Sequence, residues 1–183
     1  MKKTVFLDRD GIIVENIDGE APTKTSDLKL INISIQVIKK LQKRGFKVIV
    51  VSNQPDVALG LISEKTKVEL VKKFKELLLK ENVKIDVYYC FHHTKGINIK
   101  YTKNCICHKP KPGMLLKAIN KYNIDPELSY MVGDRASDIK AGDLSGVNTI
   151  LLDPNGQEKR YLGEYKVEPD FIIKKVDEVL NII

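Results

Sequence analysis

Two aspartates one residue apart, Asp8 and Asp10, close the apolar run Val5-Phe6-Leu7 and stand before Gly11. Side chains at i and i+2 of an extended segment point the same way, with Cα atoms roughly 7 Å apart, so both carboxylates can face one pocket. Further along, Ser52, Asn53 and Gln54 end a second apolar run, Lys109 precedes Pro110, and Asp134 follows Gly133. Three carboxylates gathered without a cation repel one another, and the pKa of at least one is driven up. A hard dication such as Mg²⁺ removes that conflict, because it takes oxygen ligands and keeps positions open for water or phosphate. The Ser52 hydroxyl, the Lys109 ammonium and loop N–H groups then suit phosphate oxygens. Such a set describes phosphoryl transfer with a carboxylate nucleophile. Taken alone, the Asp8–Asp10 pair is equally a turn motif.

A second group has different chemistry. Cys90-Phe91-His92 is followed, twelve residues on, by Cys105-Ile106-Cys107. Three sulfurs and an imidazole, two ligands on each arm of a loop, suit tetrahedral Zn²⁺. The bland alternative is a buried strand cysteine and an incidental Cys-x-Cys pair. His93 competes with His92 for the fourth position.

These residues need elements to hold them. Apolar runs at "TVFLD", "FKVIVVSN", "IDVYYCF", "SYMVGD" and "VNTILLD" read as buried strands. Between them, "SIQVIKKLQKRG" has helical spacing, with Ser34 available as cap and Gly45 to end it. Ser63 opens a long amphipathic helix, others are expected at about 113–123 and 136–145, and "KKVDEVLNII" closes the chain as a helix. Residues 92 to 111 read as an irregular insert. Alternating strands and helices imply an α/β sandwich, a mostly parallel sheet covered on both faces. In such sheets ligands bind beyond the carboxyl ends of the strands, and there Asp8, Asp10, Ser52, Asn53 and Asp134 fall.

Length and composition agree. The 183 residues, 43% hydrophobic and 30% charged, fit one globular domain over 1–183. The net charge of +7 sits on lysines scattered through helical patterns, which reads as a solvated face rather than a nucleic-acid surface. No run approaches a membrane span. The apolar residues after the N-terminal lysines are cut short by charges, so no signal segment is expected and the cytoplasm is.

In order along the chain, "DRDG" (Asp8 to Gly11), "SNQ" (Ser52 to Gln54), "KPKPG" (Lys109 to Gly113) and "GDRASD" (Gly133 to Asp138) resemble the four motifs of the haloacid-dehalogenase (HAD) superfamily. The resemblance implies a Rossmann-like three-layer fold without a large cap. It implies Asp8 as nucleophile and Asp10 as general acid and base. Mg²⁺ would be held by Asp8, the Asp10 carbonyl and Asp134, with Ser52 and Lys109 on the phosphoryl oxygens. Asp138 orients Lys109 or the metal's waters, or is a solvated helix position. Arg9, Asn53, Gln54, His108 and Arg135 are placed at the substrate.

CxH, CxC and KPxPG together resemble a zinc-bearing HAD subgroup that includes heptose 1,7-bisphosphate 7-phosphatases and histidinol-phosphate phosphatases. That likeness selects His92 over His93 and implies a structural Zn²⁺ on Cys90, His92, Cys105 and Cys107, in a loop at about 90–108. The expected partner is a small phosphorylated metabolite, first a heptose bisphosphate and next histidinol phosphate, handled by a monomer. Two departures bear on recognition: His108 stands where the heptose enzymes usually carry Arg, and Pro55-Asp56 follow "SNQ". A zinc-stabilised nucleic-acid module is the alternative of another class; it leaves Asp8, Asp10 and Asp134 unexplained.

Overall fold

A computed structural model describes residues 1–183. Six strands form one sheet: β1 (Thr4–Leu7), β2 (Lys47–Asn53), β3 (Asp86–Cys90), β4 (Tyr130–Gly133), β5 (Asn148–Leu152) and β6 (Phe171–Ile173). Their order is β3-β2-β1-β4-β5-β6, and every pairing is parallel. The continuous apolar runs divide by parity. Val5, Leu7, Val48, Val50 and Val132 face one layer, while Phe6, Ile49, Val51 and Met131 face the other.

The first layer is built by α1 (Asn32–Lys43), α3 (Glu64–Lys80) and the C-terminal pair, a 3-10 turn (Val176–Glu178) running into α7 (Val179–Ile182). Ile35, Ile38 and Leu41 of α1 and Leu70, Phe74 and Leu78 of α3 recur at helical spacing and are all buried there. On the other face Met114, Leu115 and Ala118 of α4 (Gly113–Tyr122) pack beside Ala141 of α5 (Ala136–Asp143). A short α2 (Asp56–Leu59) and α6 (Lys159–Tyr165) complete the chain. Residues 8–31 hold turns and isolated bridges, and α2 is the only element between β2 and α3, so no cap domain is present. No helix is long and apolar enough to cross a membrane.

Three local expectations change. Ser34 does not cap α1: it lies in the first turn and donates its hydroxyl to the Ile12 carbonyl at 2.5 Å, while Ile31 occupies the cap without a side-chain bond. Ser34 is buried, and an internal acceptor outweighs the capping role its type suggests. Ser63 does cap α3, accepting from the Thr66 amide at 3.0 Å. The closing helix is shorter than its sequence pattern, and α6 and β6 join the expected set.

β1 lies between β2 and β4, where the chain's winding reverses. That is the crevice in which doubly wound sheets bind ligands.

Candidate active site

Asp8 leaves the end of β1, Asn53 ends β2, and Asp134 follows β4. The parallel register brings these ends level, pairing Leu7 with Val50 and with Val132. Lys109 reaches them from the segment after β3. Its backbone is bracketed by one side chain: Asn53 Nδ2 donates to the Lys109 carbonyl and the Lys109 amide donates to Asn53 Oδ1, each at 3.0 Å.

The Lys109 ammonium is 2% exposed and uses all three donors, to Asp8 Oδ1 at 2.9 Å, Asp138 Oδ1 at 2.5 Å and the Val51 carbonyl at 2.9 Å. Burial alone would discharge it, but the Asp138 and Asp8 carboxylates outweigh burial and hold its pKa above the ordinary lysine range. Asp138 is fully buried, so it is no solvated helix position. Its second oxygen accepts from the Arg135 amide at 3.1 Å.

Asp8, Asp134 and Asp138 each bring one oxygen within 4.8 Å of the others. Burial, then repulsion from Asp138 and Asp8, pushes Asp134 up to about 8. Burial and Asp8 push Asp138 up to about 6. Asp134 Oδ1 is buried without a hydrogen-bond partner. An orphaned carboxylate oxygen among three crowded acids fits a hard dication, which supplies the missing charge. The third carboxylate is thus that of Asp138; the Asp10 carboxylate does not join this group.

Gly11 makes room for the cluster. Its φ is +75°, and a Cβ there would lie 1.9 Å from Asp134 Oδ2. Gly11→Ala is expected to lower activity by at least about 100-fold and to destabilise the fold by about 1–2 kcal/mol through its left-handed backbone alone. Thermal melts and phosphate release check this; wild-type rates in the variant would contradict the crowding.

Asp10 sits apart from that group. Arg9 Nε and Nη2 donate to it at 2.9–3.1 Å, Gln54 Nε2 at 2.6 Å, and the Ser52 hydroxyl lies 3.5 Å away. Burial raises the Asp10 pKa, with Arg9 opposing and Asp8 reinforcing. This corrects the sequence reading of Arg9 and Gln54 as substrate contacts. Arg9 is 1% exposed and lies against Phe74 of α3, and Gln54 is bonded to Asp10; neither lines the pocket that Asp8 and Asp10 share. Ser52 is fully buried behind the same carboxylate.

A pocket of about 170 Å³ is lined by Asp8, Asp10 and Lys109 together with Asn53, His108 and Arg135. Glu20 and Asp56 also line it. Burial, helped by Asp10 and Glu20, lifts the Asp56 pKa. Asp134 opens instead on an adjoining cavity of about 620 Å³ with Gly11, Asn16 and Arg135. Sequence reading missed Glu20 and Asn16, which stand in an irregular loop with no periodicity to flag them. It also missed Glu158, whose carboxylate accepts from the Ala136 amide at 2.7 Å and steadies the turn after Asp134.

Beside the pocket, Cys90 Sγ lies 3.1 Å from Cys107 Sγ and 3.6 Å from Cys105 Sγ. Cys105 and Cys107 are 3.3 Å apart, and His92 Nδ1 is 3.3 Å from Cys107 Sγ. His93 stays out, its Nδ1 accepting from the Lys95 amide. Three sulfurs and one nitrogen at the corners of a small tetrahedron are the donor set of a borderline-soft dication such as Zn²⁺. His108 Nδ1 donates to the His92 carbonyl at 2.8 Å and joins this cluster to the pocket wall.

Residues 106–179 match the HAD-hydrolase-like family. The chain is 35% identical over 184 residues to the D-glycero-beta-D-manno-heptose-1,7-bisphosphate 7-phosphatase of Pasteurella multocida, covering 100% of this chain and 97% of the relative. It is 37% identical over 155 residues to the D-glycero-alpha-D-manno-heptose-1,7-bisphosphate 7-phosphatase of Photorhabdus laumondii, covering 84% of each. Among solved structures, the D,D-heptose 1,7-bisphosphate phosphatase of B. bronchiseptica, complexed with magnesium and phosphate, superposes with a TM-score of 0.80 at 24% identity, over 98% of this chain and 97% of that one.

Proposed function

The chain belongs to the HAD phosphatase family, and from that premise we propose that it releases the 7-phosphate of a D-glycero-D-manno-heptose 1,7-bisphosphate. The observation that carries the reading is the Asp8–Lys109 pair, which lines one pocket together with Asp10. Full-length likeness to heptose bisphosphate phosphatases supports the substrate.

In the first step an Asp8 carboxylate oxygen bonds to phosphorus while the bond to the sugar oxygen breaks. The sugar oxygen takes a proton from Asp10 and leaves as an alcohol. In the second step Asp10, now a carboxylate, takes a proton from water. The water oxygen bonds to phosphorus, the Asp8–phosphorus bond breaks, and inorganic phosphate leaves. Lys109 stabilises the transferring oxygens, with Asp138 holding it in place. Asp8, Asp134 and the Asp10 carbonyl would hold Mg²⁺, which would supply positive charge for the phosphoryl group. Cys90, His92, Cys105 and Cys107 would hold Zn²⁺ in a site closed by four protein ligands, where it would serve a structural role.

Glu20 and Asp56 accept hydrogen bonds from sugar hydroxyls. His108 and Arg135 stand ready for the distal phosphate. Two acids lining the pocket equally suit an ammonium, which keeps histidinol phosphate as the second reading. A phosphate-release panel with Mg²⁺ tests both: the alpha and beta heptose bisphosphates, fructose 1,6-bisphosphate and histidinol phosphate. Release from one or both heptose bisphosphates well above that from the other two compounds is expected, and equal, feeble release from all would overturn the assignment.

The acid cluster also sets a pH dependence. The folded-state values of Asp134 and Asp138, about 8 and about 6, exceed the ordinary 3.8. Above pH 4 the unfolded chain gives up these protons first, so magnesium-free protein is expected to lose stability steadily up to pH 8. Mg²⁺ neutralises the cluster and raises Tm, more at pH 8 than at pH 6. Melts at both pH values, with and without Mg²⁺, check this. An equal Mg²⁺ effect at both would contradict it.

A further inference from the structure

Arg9 is 1% exposed, the largest of the fully buried side chains, and neither the pocket nor the carboxylate cluster uses it. A guanidinium cannot shed its charge on burial, so its site must satisfy it. Phe74 of α3 provides one wall, its ring centre 5.8 Å from the guanidinium carbon. The planar fork meets Asp10, with Nε reaching both carboxylate oxygens and Nη2 reaching Oδ1.

The Arg9 backbone is tied down as firmly. Its amide donates to Asp8 Oδ1 at 2.7 Å, and its carbonyl accepts from the Ile13 and Val14 amides at 2.8 Å each. On the far side Gln54 Nε2 holds Asp10 Oδ2 at 2.6 Å and the Ser52 hydroxyl at 3.1 Å. Asp10 is therefore gripped from two elements, the turn after β1 and the end of β2. The grip fixes the carboxylate plane and keeps it out of the group formed by Asp8, Asp134 and Asp138.

We propose that Arg9 and Gln54 are positioning residues that hold Asp10 towards the leaving-group oxygen and away from the metal carboxylates. Neither touches substrate. Released from the fork, Asp10 is free to turn to the cation that its neighbours bind, and the proton donor is lost while the nucleophile stays. This rests on the reading of Asp10 as general acid given above.

The role shows in which substrates suffer. An alkyl phosphate expels a poor leaving group and needs the Asp10 proton; p-nitrophenyl phosphate expels a stable phenolate and needs it little. Phosphate release is measured with Mg²⁺ across p-nitrophenyl phosphate, phenyl phosphate and an alkyl phosphate, for wild type, Arg9→Lys and Gln54→Leu, with Asp8→Asn as blank. General acid catalysis is worth about 10²–10⁴-fold, and kcat/KM reports only the steps through departure of the leaving group. Arg9→Lys is therefore expected to lose about 100-fold in kcat/KM on the alkyl phosphate and under about threefold in kcat/KM on p-nitrophenyl phosphate. Slower water attack, which Asp10 assists, lowers kcat alike for all. Gln54→Leu follows the same pattern more weakly and decides the matter if Arg9→Lys fails to fold. Losses in kcat/KM that are equal across leaving groups, or absent from all, overturn the proposal. Wild-type hydrolysis that survives Asp8→Asn overturns the enzymatic reading itself, a separate result.

Discussion

Asp8→Asn is expected to reduce phosphate release by at least about 10⁴-fold, the scale seen when a covalent nucleophile is removed. The amide is nearly the same shape, so the loss is chemical rather than steric. The fold should not pay for it. Lys109 keeps Asp138 and the Val51 carbonyl, while Asp134 and Asp138 lose one of the charges that raise their pKa. In magnesium-free buffer the variant is expected to melt no lower than wild type, and the Mg²⁺-induced rise in Tm to shrink. Turnover above about one per cent of wild type would remove Asp8 from the centre of the mechanism.

The second large effect concerns the zinc cluster. Cys105→Ser/Cys107→Ser is expected to abolish zinc binding, lower Tm and reduce kcat/KM by at least about 10–100-fold, the range for losing a support of a reactive group. Between β3 and α4 the chain has no helix or strand, and Ile97 and Ile99 there are 80% and 92% exposed. The segment's one buried apolar side chain, Tyr101, packs with Val57 and Ala58 in a cluster of three, and a tetrahedral metal would add a fastening worth on the order of 10 kcal/mol. Cys107 is two residues from Lys109, so a slack loop unsettles the ammonium. Zinc content by mass spectrometry, proteolysis of the loop and steady-state kinetics measure the three parts. Unchanged kinetics in zinc-free protein would make the cluster dispensable.

Much of this was readable before any fold was available. Asp8 and Asp134 announced themselves because each sits where an apolar run stops, and a parallel sheet puts such stops on one edge; Lys109 stood out only by its motif, "KPKPG", before a helix. Ligand type pointed to Cys90, Cys105 and Cys107 but left His92 and His93 in competition, and the family likeness was needed to choose His92. Arg9 was misread because its neighbours are reactive and its own direction depends on Phe74, far away in sequence. Ser34 was misread because a capping residue and a buried hydroxyl have the same letter. Strand β6 has three residues and α6 buries none, so neither leaves a periodic trace. Glu20 reaches the pocket from a loop whose path is set by tertiary contacts.

The three bonds of the Lys109 ammonium carry a last consequence. With Asp8, Asp138 and the Val51 carbonyl all engaged, no N–H is left over for an incoming phosphoryl oxygen. An oxyanion must therefore compete with Asp8 for the lysine, and Asp8 yields most readily when a dication stands by to take its oxygen. Anion and cation become cooperative ligands, each easing the other's entry by the same factor. The resting ion pair is then a lock requiring two keys, and it guards the nucleophile until both have arrived.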